Sequence, residues 1–371
     1  LGLQTKIATS GNSRPAVLAQ TEINPDRKTV LLYAHHDVQP VGDINKWETD
    51  PFNPEIINGR LFGRGSGDNK AGVVIHHEVV KELMKDLPVN IKIFIEGEEE
   101  IGSPCMAQFL DEFNKELEAD VIVIADSGNI RIGTPTVTTS LRGLVDGFIE
   151  VDQPMRPVHS GVGGGVVPDA FMVLSKIIAS FHNEKGELQI EGLTSSDMDV
   201  LELKEEEIKK IFGSEDINLF ELDSISKRLW LEPALSILAI DAPSTKEAVN
   251  LVIPNAKAKV SLRLPPTEDP EHAMKMLEEH IMKNVPWGAN VRFIPEAKGS
   301  GIVADPNKEF TKKLVQNFEE VFNTDAAYMG VGGSIPFAND FVEKFPNAEL
   351  VLIGAADEEM GNAHAPNESV Q

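Results

Sequence analysis

Four strand-length apolar runs in this chain lead directly into acidic or histidine-bearing sequence. Thr29–Tyr33 runs into Ala34-His35-His36-Asp37, and Ile91–Ile95 into Glu96-Gly97-Glu98-Glu99-Glu100. Val121–Ala125 runs into Asp126, and Glu349–Ile353 into the loop that reaches His364. One core strand ending in a polar cluster is ordinary. Four of them constrain the fold, because in open α/β sheets ligands sit in the crevice beyond the carboxyl ends of the strands. Side chains delivered at four such ends meet in one crevice, which acids scattered over a surface would not do.

The intervening sequence fits that architecture. Ala71–Lys85 has helical periodicity, with Val73, His77, Val80 and Met84 on one face, and Met106–Leu117 reads as a further helix. Strands alternating with helices imply a mostly parallel sheet with both faces covered. The middle of the chain differs. Val145–Val151, Leu235–Ile240 and Ala256–Leu264 alternate like half-exposed strands, with helices near Asp169–Phe181 and Pro270–Lys283 and a last strand at Asn290–Ile294. Four strands and two helices in that order suggest an α+β unit on a four-stranded antiparallel sheet. Asp197–Arg228 is polar, helix-prone and acidic, and its Glu205-Glu206-Glu207 run reads as a solvated face. After Gly299 the first pattern resumes, with a helix around Asn307–Phe322. The expected organisation is one α/β domain made of residues 1–142 and 298–371, interrupted by an inserted domain at 143–297. A chain of 371 residues suits two domains, since single cores stop growing near roughly 250–300 residues.

Charge removes several function classes. With 59 acidic and 34 basic residues the net charge is −25, the wrong sign for a nucleic-acid backbone or an anionic membrane surface. No apolar run approaches the ~20 residues of a spanning helix. The single cysteine, Cys105, rules out an intrachain disulfide framework and fits a reducing, cytoplasmic setting. It follows Ser103-Pro104 at an expected helix start and reads as a buried structural thiol. The chain starts at Leu1 and stops at Gln371 shortly after a motif, so it reads as lacking parts at one or both ends.

The polar clusters suit cations better than other ligands. In an extended chain residues two apart share a side, so Asp37 can orient a ligating His35 while His36 points away. A histidine hydrogen-bonded at a strand end explains that tripeptide equally well. Gly63-Arg64-Gly65-Ser66-Gly67-Asp68-Asn69-Lys70 resembles a phosphate cradle but lacks the P-loop spacing, and Asp68 would repel phosphate. Gly161-Val162-Gly163-Gly164-Gly165 lacks the dinucleotide spacing and reads as a flexible loop. In His77-Glu78-Val79-Val80-Lys81, Lys81 stands where a zinc-protease helix needs its second histidine, so His77 reads as a satisfied histidine on the packed face. Adjacent acids at Glu98-Glu99-Glu100 push protons onto one another unless a cation compensates. One glutamate as ligand and its neighbour as general base is the division of labour that such a site needs.

The segments YAHHDVQPV, WETDPFNP, NGRLFGRGSGDNK, EGEEEIGS, VIADSG, VHSGVGGG, VSLRLPP, GGSIP and GNAHAPNE resemble, in order, the blocks of M20 metallopeptidases. They look closest to the cytosolic non-specific dipeptidase and carnosinase-like branch. The resemblance implies two divalent cations, zinc before manganese or cobalt, with His35 and Asp126 on one, Glu100 and His364 on the other, and Asp68 bridging. It implies Glu99 as the base, Asp37 as support for His35, and His159 as the group that polarises the scissile carbonyl, reaching a partner's site in dimeric relatives. Arg263, Ser334, Gly332 and Gly333 are implied to hold the substrate carboxylate. A cis peptide at Asp68–Asn69 and a homodimer through the inserted lid domain are implied as well. Departures are Ala34 and Ala71, where glycine is usual, and Asn69, where aspartate is common.

The expected activity is hydrolysis of a dipeptide or small peptide with a free carboxylate. An N-acyl-amino-acid deacylase or desuccinylase of the same fold is the enzymatic rival, since it uses the same metal chemistry. A non-catalytic binding or dimerisation module conflicts with the full ligand set and Glu99. A nucleotide-binding protein would need glycine-loop spacings that are absent.

Overall fold

The computed structural model describes every residue of the chain except Ser334. Its larger sheet has nine strands, in the order Gln4–Ala8, Ala16–Gln20, Asn90–Glu96, Thr29–His35, Val121–Ile124, Glu349–Leu352, Thr136–Leu141 and Ile302–Val303, with Ala327–Val331 also paired to Thr136–Leu141. The strands that end in the polar clusters form the centre and run parallel: Thr29–His35 lies between Asn90–Glu96 and Val121–Ile124, and Glu349–Leu352 pairs with Val121–Ile124. The flanks bring in antiparallel pairs, at the Gln4–Ala8 and Ala16–Gln20 hairpin and where Thr136–Leu141 meets Glu349–Leu352 and Ile302–Val303, while Ala327–Val331 pairs parallel with Thr136–Leu141. The sheet is therefore mixed rather than mostly parallel.

Both faces of the parallel centre are covered, which explains the unbroken apolar runs. Alternation divides each strand between two cores. Leu31, Tyr33, Phe94, Ile122 and Ile124 pack with Phe109, Phe337 and Phe341 on one side. Val30, Leu32, Ile91, Val121 and Val123 pack with Val80 on the other. Tyr33 stacks on Phe337 with ring centroids 4.3 Å apart, so the strand that delivers His35 is fixed by aromatic contacts just before its end.

The expected Ala71–Lys85 helix spans Ala71–Leu83, and its buried stripe is Gly72, His76 and Val80. His77 is exposed and pairs with Glu78, so the packed histidine is its neighbour: His76 Nε2 lies 2.8 Å from the Tyr33 carbonyl oxygen. Gly72 sets this rotation, because it lets the helix approach the Ala125 carbonyl more closely than a side chain would permit. The expected Met106–Leu117 helix breaks at Phe113 into Met106–Glu112 and Asn114–Leu117. Cys105, just before it, is half-buried rather than buried.

The second sheet orders its strands Ala234–Asp241, Asn255–Leu264, Gly143–Asp152 and Val291–Gly299, all antiparallel. Its buried face meets the Ala170–Ser180 and Pro270–Lys283 helices through Val145, Ile149, Val260, Val173, Leu174 and Leu277, among others. Both helices start on an aspartate cap that accepts from the first-turn backbone, Asp169 and Asp269. The acidic segment does not pack on this sheet's core. Leu203, Ile208, Trp230 and Leu231 cluster with Ile130 and Met329 beside the larger sheet, and Glu207 pairs with Arg131 rather than standing free. Gly161 and Gly163 fall in a short helix, Ser160–Gly163, where a loop was expected. No helix among the described residues is long and apolar enough to cross a membrane.

Candidate metal centre

The strand ends and the glycine-rich loop bring five side chains together. His35, Asp68 and Asp126 offer donor atoms within 4.8 Å of one another, and so do Asp68, Glu100 and His364. Asp68 belongs to both groups. Its Oδ1 lies 2.9 Å from His35 Nε2, and its Oδ2 lies 2.9 Å from His364 Nε2. Asp126 Oδ1 is 3.3 Å from His35 Nε2, and Glu100 Oε2 is 3.1 Å from His364 Nε2.

Local structure orients each donor. His35 is buried at the end of its strand, and its Nδ1 faces the Asp37 carbonyl at 3.2 Å and the Asp37 carboxylate at 3.3 Å, which leaves Nε2 for the crevice. Asp37 also accepts from the Glu100 backbone, and Gln39 N–H donates to Glu100 Oε1 at 3.0 Å. The Asp68–Asn69 peptide is cis. Asn69 Nδ2 donates to Asp126 Oδ1 at 2.5 Å and to the Ala125 carbonyl at 2.6 Å, so it aims the Asp126 carboxylate. The glutamate triplet divides. Glu98 is buried and accepts from Arg14 N–H, whereas Glu99 and Glu100 form a single-turn helix at the crevice. Glu99 Oε2 lies 4.0 Å from His35 Nε2.

The electrostatics are unbalanced. Four carboxylates, those of Asp68, Glu99, Glu100 and Asp126, stand against two imidazoles. Burial raises the Glu99 carboxyl to about 8, with the Asp126 charge adding to it and His35 opposing. Burial likewise raises Asp126 against the pull of His35. Asp68 falls below the usual carboxylate range despite its burial, because His35 and His364 both hydrogen-bond to it. His364 is pushed up to about 10 by Asp68 and Glu100. The buried Glu100 Oε2 makes no well-aligned hydrogen bond. Mixed imidazole and carboxylate donors, an acid excess and an unsatisfied buried carboxylate oxygen all fit paired divalent cations.

The remaining expected residues belong to neither donor group. His159 is exposed, on a two-stranded pairing with Leu251, and its Nδ1 accepts from Gly161 N–H at 3.0 Å. Arg263 is half-buried on Asn255–Leu264, opposite Ala234 and Leu144. Gly332 and Gly333 follow Ala327–Val331 and are half-buried, while Ser334 lies outside the described residues. Four residues near the donors have roles that sequence reading did not assign: Gln39, Asn69, Arg64 and Glu368. All four stand inside the quoted motif blocks, which is the one signal that pointed to them.

The fold and the site together define an α/β protein with a candidate paired-cation centre at the carboxyl end of its sheet. The sequence profile of Peptidase family M20/M25/M40 matches residues 31–371, and the chain belongs to that family. It is 32% identical to the cysteinylglycine-S-conjugate dipeptidase of Corynebacterium striatum, over 100% of this chain and 83% of that protein. The human β-Ala-His dipeptidase is 29% identical over 96% of this chain and 74% of its own length. Among solved structures, an M20 family metallo-carboxypeptidase from Sulfolobus solfataricus superposes with a TM-score of 0.78 at 28% identity, covering 100% of this chain and 86% of that one.

Proposed function

We propose that this chain is a two-metal dipeptidase, or a small-peptide exopeptidase, that recognises the substrate carboxylate. The observation that carries the reading is the pair of donor groups sharing Asp68, in a peptidase family whose similar members include named dipeptidases. His35 and Asp126 would hold one cation, Glu100 and His364 the other, with Asp68 between them. When bound, paired divalent cations polarise the scissile carbonyl and acidify a water. Zinc is the preferred ion, with manganese or cobalt as substitutes.

The chain's own groups then have distinct tasks. Glu99 takes a proton from the attacking water and delivers it to the departing amine. Asp37 fixes the His35 ring. Arg263, with Ser334 and the Gly332-Gly333 backbone, receives the substrate carboxylate, for which a planar guanidinium is the matching partner. His159 donates to the developing oxyanion. Residues 143–297 would form an inserted lid and dimerisation domain beside a parallel-centred catalytic domain of residues 1–142 and 298–371, a division supported by the separate four-stranded sheet. A homodimer through that domain would let one protomer's His159 serve its partner. A single cysteine is in keeping with a cytoplasmic setting.

The test is turnover by zinc- or manganese-loaded protein of unblocked dipeptides beside N-acetyl and N-succinyl amino acids. Cleavage of the unblocked dipeptides is expected. Turnover of the acylated set alone would replace this reading with a deacylase or desuccinylase.

A further inference from the structure

Arg64 and Glu368 form an ion pair at 2.7 Å, with both side chains 1% exposed. Taking two charges out of water is expensive, so a buried pair is not by itself a source of stability. What this pair holds is specific. Glu368 Oε2 accepts from Arg64 Nη1 and from Gly65 N–H at 2.9 Å. Its Oε1 accepts from Gly67 N–H at 3.1 Å and from Asp68 N–H at 3.0 Å. One carboxylate thus gathers three backbone donors of the loop that carries Asp68, an anion nest filled by the chain's own acid.

That loop needs an outside anchor. Gly63, Gly65 and Gly67 bring no side chains to pack, and Gly65 holds φ +80° in a place where a Cβ would come within 2.5 Å of Val38. Asp68 must present Oδ1 toward His35 and Oδ2 toward His364, so the direction of its backbone decides whether it can serve both donor groups. The anchor comes from the segment that carries His364. Arg64 Nη2 donates to the Ala365 carbonyl, next to His364, and to the Pro40 carbonyl, each at 3.3 Å, and its guanidinium lies over the Trp47 ring. Asp68 and His364, about three hundred residues apart in sequence, are joined through this pair.

We propose that Arg64 and Glu368 are positioning residues that fix Asp68 and His364 relative to each other, so that one carboxylate can face two cations. The proposal rests on the reading of Asp68 and His364 as ligands. In Glu368→Gln one oxygen becomes an amide that turns donors toward backbone N–H groups, while volume is preserved. Arg64→Lys keeps a positive charge beside Glu368 but loses the fork that reaches Pro40 and Ala365.

The experiment is calorimetric titration of zinc into metal-free wild type, Glu368→Gln and Arg64→Lys. Thermal unfolding and the visible spectrum of the cobalt-loaded forms are recorded beside it. Ion affinity of folded Glu368→Gln is expected to fall about 10- to 100-fold, with an altered cobalt spectrum, and Arg64→Lys to move the same way. A pair that only stabilises the fold would lower the unfolding temperature and leave affinity and spectrum alone, and that result overturns the proposal. If Glu368→Gln does not fold, Arg64→Lys decides by the same criterion. Wild type that binds no zinc would overturn the metal-centre reading itself, whereas normal wild-type binding matched by the variants overturns the positioning inference alone.

Discussion

His76 Nε2 lies 2.8 Å from the Tyr33 carbonyl oxygen, against the strand that delivers His35 two residues later. The ring is buried, and burial lowers its pKa from 6.5 to about 4, with the Tyr33 carbonyl opposing the shift. Above pH 6.5 the imidazole is neutral folded or unfolded. As pH falls through 6.5 the unfolded chain takes up a proton that the folded chain refuses until about 4, so the contribution to stability is present above 6.5 and is lost across that window. The loss amounts to roughly 3 kcal/mol when complete. His76→Gln keeps a donor for the Tyr33 carbonyl and cannot titrate there. Urea denaturation of the metal-free proteins from about pH 7 to about pH 4 should show wild type losing more stability than the variant; parallel curves would contradict this account.

The same histidine marks where the sequence stops being legible. His76 and His77 are adjacent, and an apolar stripe of Val73, Val80 and Met84 accommodates either one at its margin. The choice is made by Gly72, whose missing side chain allows a helix–strand approach that only the folded chain reveals. His35, Asp126 and the Glu99-Glu100 pair were legible as residues of the crevice because a buried strand followed by an acid is unusual whatever its partners are. Glu368 was not. Its partners are backbone N–H groups about three hundred residues away, and a loop glutamate carries no local mark of them. Strand direction at the sheet's flanks was hidden for a similar reason, since pairing partners such as Ala16–Gln20 and Asn90–Glu96 are set by the whole topology rather than by either strand's composition. Leu203 and Ile208, within the acidic segment, and Trp230, just after it, were spaced too irregularly to reveal which core they join.

Glu99 separates catalysis from ion binding. It stands at the crevice but belongs to neither donor group. Glu99→Gln preserves its size and removes its capacity to take a proton. Turnover should fall roughly 10²- to 10⁴-fold, the usual span for a positioned general base, with two ions per chain retained. Steady-state kinetics with metal analysis on one preparation checks both halves. Unchanged turnover would remove Glu99 from the reaction, and lost ions would make it a ligand.

Removal of the ions should weaken the fold as well as abolish activity. Without cations, Asp68, Glu99, Glu100 and Asp126 crowd a buried space that resists the ionisation of Glu99 and Asp126, and a ligand that binds only the folded chain stabilises it by mass action. Free ion at about 100 times its dissociation constant contributes roughly 2.7 kcal/mol for one site. Calorimetric scans should therefore show a lower unfolding temperature after chelation, restored by zinc or manganese in step with activity. Full activity in a preparation shown to be metal-free would reject the two-metal mechanism.

Gly72→Ala tests whether helix packing transmits to the site. In an isolated helix the substitution is favourable by about 1 kcal/mol. Here the new Cβ would meet the Asn69 side chain and come within 2.5 Å of the Ala125 carbonyl oxygen. Backbone cannot swing aside as a side-chain tip can, so the helix must withdraw or the Ala125–Asp126 segment must shift. Overpacking of this kind costs about 1–3 kcal/mol and should exceed the propensity gain, giving a net loss of stability. The shift also falls on the Asn69 amide, which holds both the Ala125 carbonyl and Asp126 Oδ1. Zinc affinity should drop with stability, whereas Val74→Ala, exposed on the same helix, should leave both nearly unchanged. Denaturation and zinc titration of the two variants together check the argument: if Gly72→Ala is stabilising, the helix has room that this packing denies, and if it is destabilising with zinc affinity intact, the contact does not reach Asp126.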